Sequence, residues 1–279
     1  MTIALFGAGR VGCALAEGLV AAGQSVSAHW TRSKARAERA SQRLAREVAW
    51  GDDALPAVVS AANTLIIAVS DDAIRPLANR LSPAAGQIVL HTSGAQSAAV
   101  ALGSDIAQCG TFHPLCAIAD HRQAAGALAG ALFALEGADA AVAEGQRLAE
   151  RLGGVPRRIA AEDLPRYHAG AVLASNLSVA LWAAALDVWQ PLGIGLDALL
   201  PLMRSTLQNL DFLGLPEALT GPVRRGDDQT VARHLALLAD RSPALLPVYR
   251  QLSLLALRCA ESSDRPPDNI ERLRALLDV

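Results

Sequence analysis

Gly7, Gly9 and Gly12 follow the spacing Gly-x-Gly-x-x-Gly, directly after the apolar run 3–6. Between a strand and a helix, that spacing makes a phosphate cradle. The first glycine permits the tight turn, the second lets the backbone approach a pyrophosphate, and the third lets the helix pack close on the strand. Arg10 and Val11 lie at the helix start, where unpaired N–H groups and the helix dipole attract phosphate. A dinucleotide is therefore expected. Near residue 31, an NAD-binding chain would carry a carboxylate for the ribose hydroxyls. This sequence has Thr31, Arg32, Ser33 and Lys34 instead. Two cations and two hydroxyls suit a 2′-phosphate, which Arg32 can bind through two parallel hydrogen bonds. NADP is the expected cofactor.

Reducing a C=O or C=N bond takes hydride and also a proton or hydrogen-bond donor. Lys34 is the only lysine. Beside the adenosine phosphate it lies a dinucleotide's length from a nicotinamide, and arginine does not readily release a proton. His168 is therefore the expected donor, since an unperturbed imidazole titrates near neutrality. If one helix runs through this region, Ser175 falls within about 20° of His168 and Asn176 about 80° to the other side. The three then share one polar face of an apolar helix, with Asn176 holding the substrate oxygen. Interhelical hydrogen bonding is the alternative use of that face. Tyr167 falls on a different face and ranks below His168.

Other candidates stand where strands end. Val69 and Ser70 line the cofactor path, and Asp72 caps the helix that follows. Ser93, with Gly94 after it, is placed near the nicotinamide and the acceptor atom. His113, followed by Pro114, which fixes the next stretch of backbone, either binds or orients the substrate or is a structural histidine hydrogen-bonded to a loop. His91 reads as a core residue and His121 as exposed. Thr220, in a loop with Arg224 and Arg225, is a further substrate contact, and Asp227 caps the next helix. Cys13, Cys109, Cys116 and Cys259 show no metal spacing, so no metal is expected.

The elements that must position these residues alternate in the first half. Strands are expected over 2–6, 25–30, 63–69 and 87–91, a short one near 48, and weaker ones over 110–112, 131–136 and 155–159. The run 63–69 is apolar at nearly every position, as a strand buried on both faces requires. This is an α/β pattern, a doubly wound parallel Rossmann sheet in residues 1–160. Residues 161–279 read as an all-α domain, with helices over 164–190, 196–212, 230–238, 244–261 and 269–277.

With 52% hydrophobic residues in 279, the chain can bury a sizeable core, but at 4% aromatic it must fill it with Ala, Leu and Val. A net charge of −2 argues against nucleic acid or an acidic membrane surface as partner. No unbroken apolar run reaches the roughly 18 residues of a membrane span, and no signal-peptide pattern is read, so a reduced cytoplasmic protein is expected.

Together, segments 7–12, 68–74, 92–95, 112–114, 167–176 and 219–227 make the chain similar to a known group. It resembles the Rossmann-like NADP-binding proteins with a C-terminal helical domain of unknown function. Their relatives are pyrroline-5-carboxylate reductases, 6-phosphogluconate and hydroxyisobutyrate dehydrogenases, and deazaflavin-dependent NADP oxidoreductases. Some members resemble alternative ketopantoate reductases. The resemblance implies NADPH-dependent reduction of a small 2-oxo acid or an imine, and a homodimer formed through the helical domain. A non-catalytic NADP sensor or scaffold, or a flavin- or deazaflavin-linked oxidoreductase, are the alternatives. Hydroxyacid dehydrogenases use a helical lysine as proton donor; this chain has none in residues 161–279.

Overall fold

The computed structural model describes all residues except 104, 121–125 and 279. His121 lies outside the described residues. Among them, eight strands form one sheet in the order β3-β2-β1-β4-β5-β6-β7-β8. These are β1 (Thr2–Phe6), β2 (Ser25–Thr31), β3 (Ala49–Trp50), β4 (Thr64–Ile67), β5 (Ile88–His91), β6 (Cys109–Pro114), β7 (Leu132–Gly137) and β8 (Val155–Arg158). Along β1 the side chains alternate between two cores. Ile3 and Leu5 pack with Leu15, Leu19 and Phe133 on one face. Ala4 and Phe6 pack with Trp30, Ile67 and Ile74 on the other. A strand buried on both faces needs helices on both sides, which is why the pattern is apolar rather than alternating.

The strand order reverses between β1 and β4, which pair in parallel from Ile3↔Thr64 to Phe6↔Ile67. Beyond the carboxyl ends of strands at such a reversal, a crevice opens. One pair departs from the all-parallel expectation: β7 runs antiparallel to β6. A parallel return needs a crossover, usually a helix. Among the described residues of 115–131 there is no helix to make one.

The helices flanking the sheet include α1 (Arg10–Ala21), α2 (Lys34–Leu44), α3 (Leu55–Ser60), α4 (Asp71–Leu81), α5 (Ala98–Leu102) and α6 (Asp139–Arg151). After them come α7 (Leu164–Ala174), α8 (Asn176–Trp189), α9 (Leu196–Leu213), α10 (Pro222–Arg225), α11 (Asp228–Arg241), α12 (Leu246–Glu261) and α13 (Ile270–Leu277). The chain divides into two compact units, Met1–Asn176 and Leu177–Val279. α7 therefore counts with the sheet, although its sequence reads with the helices that follow.

The second unit is built on Val223, Val231, Leu235, Leu257, Leu273 and Leu277, from α10 to α13. Asp227 caps α11 as expected, accepting from the Thr230 N–H at 3.0 Å. α8 has no buried residue and α9 has only Leu199. The helical stretch Ala161–Leu192 is long and apolar enough to cross a membrane by length and composition, although it holds no unbroken apolar run of that length.

Candidate functional site

The glycine loop is held rigidly from both sides. The Gly7 N–H donates to the Trp30 carbonyl at 2.7 Å, and the Ala68 N–H donates to the Phe6 carbonyl at 2.7 Å. Gly7 has φ +121°, and a Cβ there would come 2.1 Å from the Ala68 carbonyl oxygen. A Cβ on Gly12 would come 2.0 Å from the Gly7 oxygen, so α1 packs against its own loop. Gly9 is different: a Cβ would meet nothing within 4 Å. Gly9 is also the N-cap of α1, and no side chain caps that end. Open space over a bare backbone and uncapped N–H groups is what an incoming phosphate requires.

A cleft of about 810 Å³ runs past this loop at the carboxyl ends of β1, β2 and β4. Of the residues singled out from the sequence, Gly7, Gly9, Arg10, Val11, Thr31, Arg32, Val69 and Ser70 line it. Gly12 lies behind the loop. Ser33 is the N-cap of α2, and the Lys34 ammonium stands 5.5 Å over the Trp50 ring. Neither Ser33 nor Lys34 lines the cleft. Two arginines that the sequence reading passed over do line it, Arg36 and Arg80. Arg36 had a signal, because it lies in the first turn of α2, just after the cationic run at Arg32 and Lys34. Arg80 comes from the end of α4 and is ion-paired with Asp52.

His29, also passed over, supports the loop. It is 1% exposed and its Nε2–H donates to the Gly7 carbonyl at 2.8 Å. Burial lowers its pKa, which keeps the ring neutral.

At its other end the cleft reaches Asp71 and Thr92. Ser70, not Asp72, is the N-cap of α4, and no side-chain bond caps that end, so the expectation for Asp72 is corrected. Asp71 instead accepts from the Ser93 hydroxyl at 2.9 Å. Ser93 is 3% exposed, and its oxygen also accepts from the Ala95 N–H at 3.3 Å. The serine fixes the turn; its one proton is already directed at Asp71. Behind it, His91 Nδ1 accepts from the Ser93 N–H, and His91 Nε2 lies 3.1 Å from the Thr111 hydroxyl. His91 is fully buried, as expected, and burial lowers its pKa to about 4.

His113, at the end of β6, packs its ring over Gly94, where a Cβ would come within 2.8 Å of it. Its Nδ1 lies 2.8 Å from the Tyr167 hydroxyl, with the rings edge to face at 85°. The His168 ring is 6.2 Å from that of His113, and its buried Nδ1 has no hydrogen-bond partner. Burial drives His113 down to about 4; His168 pushes the same way and the Asp71 carboxylate pulls it back up. Burial, with Cys116 adding to it, pushes Tyr167 up to about 12. At neutral pH the pair is an uncharged phenol beside an uncharged imidazole.

The shared face of His168, Ser175 and Asn176 does not form as read. The helix breaks at Ser175, which has φ −119° and ψ −71°. Serine and asparagine offer the backbone competing hydrogen bonds, and two in succession mark a weak point. Asn176 is exposed and begins α8, on the far side of the break from His168. The residue that joins His113 is Tyr167. Thr220 is exposed, in the second unit.

Fold and site together define a Rossmann-type sheet unit with a phosphate cradle, followed by a helical unit. Residues 1–117 match the Rossmann-like domain model and residues 131–256 match the model of a domain of unknown function, DUF2520. The chain carries a Rossmann-like domain followed by a DUF2520 domain, and the second match begins as early as β7. No curated protein matches the sequence. A Bacteroides fragilis protein provisionally described as an NADP oxidoreductase is 25% identical, with a TM-score of 0.76 over 91% of this chain and 97% of its own. The Thermotoga maritima protein TM1727 is 24% identical, with a TM-score of 0.73 over 94% and 100%. An imine reductase from Myxococcus stipitatus in complex with NADP+ is 17% identical, with a TM-score of 0.60 over 99% and 100%. The last two likenesses are of fold.

Proposed function

We propose that the protein is an NADPH-dependent oxidoreductase that reduces a small imine or neutral carbonyl compound. The observation that carries this reading is one cleft with a bare phosphate cradle, arginines at one end and Asp71 at the other. Asp71 is bonded to Ser93, and the phenol–imidazole pair of Tyr167 and His113 stands next to that turn, outside the cleft lining. The similarity to the Bacteroides fragilis protein and to the NADP+-bound imine reductase supports the same cofactor. Gly9 and the α1 N-terminus would take the pyrophosphate. Arg32 and Arg36, which both line the cleft, would take the 2′-phosphate. Bound there, NADPH supplies hydride. Thr31, buried at the end of β2, and the His29-supported loop keep the cradle in shape.

The acceptor class follows from charge. His113 and Tyr167 are neutral and Asp71 is the charged group nearby. An anionic 2-oxo acid gains nothing from that set, whereas an imine, iminium or neutral carbonyl does. The test is a titration of NADPH and NADH followed by a panel of cyclic imines, neutral ketones and 2-oxo acids, ketopantoate included. NADPH should bind at least about tenfold tighter than NADH, and Arg32→Ala should erase most of that preference, as expected for charged hydrogen bonds. Preferred turnover of a 2-oxo acid would overturn the acceptor class. Binding without oxidation by any compound would make the protein a sensor.

We propose in addition that a second copy of the chain covers the apolar faces of α8 and α9. These helices carry charged residues at Asp187, Asp197, Arg204 and Asp211, which a lipid interior would penalise.

A further inference from the structure

We infer that the proton for the reduced acceptor comes from the Tyr167 hydroxyl, held in place by His113, rather than from His168. This rests on the reductase reading above and assigns a role within that same site. Tyr167 reaches His113 at 2.8 Å across 54 residues of sequence. The imidazole cannot swing away, because Gly94 lies directly under its ring and Tyr167 meets it edge-on. Each partner therefore has a fixed direction. His168 lacks such a partner; its Nδ1 is buried and unbonded.

The pair has two tautomers. In one, the phenol donates to Nδ1. In the other, Nδ1–H donates to the phenol oxygen and leaves the phenolic O–H free to point at an acceptor. The second is the reactive arrangement. As the acceptor carbon gains hydride, the C=O or C=N π pair moves onto oxygen or nitrogen, which takes the phenolic proton. The O–H bond of Tyr167 breaks, and the phenolate left behind is held by Nδ1–H until solvent returns a proton. His113 keeps its own proton throughout, so it is a positioning residue and Tyr167 the catalytic one. The ionisable groups facing the pair are His168, Asp71 and Cys116.

The test compares Tyr167→Phe, His113→Asn and His168→Asn. Tyr167→Phe should bind NADPH as the unaltered protein does and melt within a few degrees of it. Its turnover of neutral imines or ketones should fall on the order of 100-fold or more, the scale of general acid catalysis. An N-alkylated iminium, which needs no proton, should still turn over at close to the normal rate. His168→Asn should lose less than tenfold on every acceptor. A second readout does not depend on turnover: the His113 Nδ1 resonance in the ligand-free protein should shift much further in Tyr167→Phe, which loses the hydrogen bond, than in His168→Asn, which loses only a nearby ring. Full activity in Tyr167→Phe, or equal losses on imine and iminium, overturns the inference while the reductase reading stands. Failure of the unaltered protein to bind or oxidise NADPH overturns both.

Discussion

Gly7 and Gly9 are the same residue two positions apart, and they do opposite things. Gly7 is required by the fold: its φ of +121° and the Ala68 carbonyl leave no room for a methyl group. Gly9 is required by what enters the cleft, since a methyl group there meets no protein atom. Gly7→Ala should therefore lower stability by about 3 kcal/mol, or roughly 10 °C in melting temperature. Gly9→Ala should melt normally and weaken NADPH binding by about tenfold or more. A thermal melt and a fluorescence titration on each variant separate the two roles. Normal NADPH affinity in Gly9→Ala would sink the cradle assignment. The glycine pattern was readable from sequence because its signal, three glycines at fixed spacing after an apolar run, lies within a few consecutive residues. The His29 bond to Gly7 was not, since a backbone carbonyl 22 residues away leaves no mark on residue choice. The same holds for Tyr167. Helical phase says which face it occupies, but not that β6 brings His113 to that face.

At the scale of elements, three histidines sit on β2, β5 and β6, His29 and His91 buried and His113 half-buried, and desolvation holds all three neutral. For His91 and His113 the folded pKa is about 4 against an ordinary 6.5. The unfolded chain thus binds more protons between these values. Stability is complete above about pH 6.5 and is lost as pH falls toward 4, at about 1.4 kcal/mol per pH unit for each such ring. Urea midpoints at pH 7, 6 and 5 should fall steadily. His113→Asn, though less stable at pH 7, should show a shallower fall. An unchanged slope would mean that His113 is not held neutral. The strands carrying these rings were legible from their apolar runs. Two features were not. The antiparallel β6–β7 pair depends on the lack of a crossover helix among the described residues between them, and strand composition does not encode direction. The break at Ser175 interrupts an otherwise apolar helix, so hydrophobic periodicity passes straight over it.

For the whole molecule, the decisive fact is how much apolar surface the second unit leaves uncovered. Leu207 is 60% exposed on α9 and Phe212 88%, while Leu177 is 51% exposed at the start of α8. A groove of about 520 Å³ runs between α8, α9 and α12, lined by Trp182, Leu202, Leu207, Tyr249 and Leu252 among others. Soluble monomers rarely expose contiguous apolar surface on this scale. The same helices supply both the groove walls and the protruding side chains, so the surface is suited to pairing with itself across a twofold axis. A stable interface needs roughly 1,200–2,000 Å² of total buried area, and two long apolar helices per copy can provide it. Light scattering should therefore give twice the chain mass of 29.0 kDa. Leu207→Glu, which puts a charge into the groove, should give monomers or raise the dissociation constant at least about 100-fold. The sheet unit should be untouched, with NADPH binding as the check that it still folds. A monodisperse monomer for the unaltered protein would refute self-pairing. Sedimentation of the unaltered protein with lipid vesicles would instead assign the long apolar stretch Ala161–Leu192 to a bilayer.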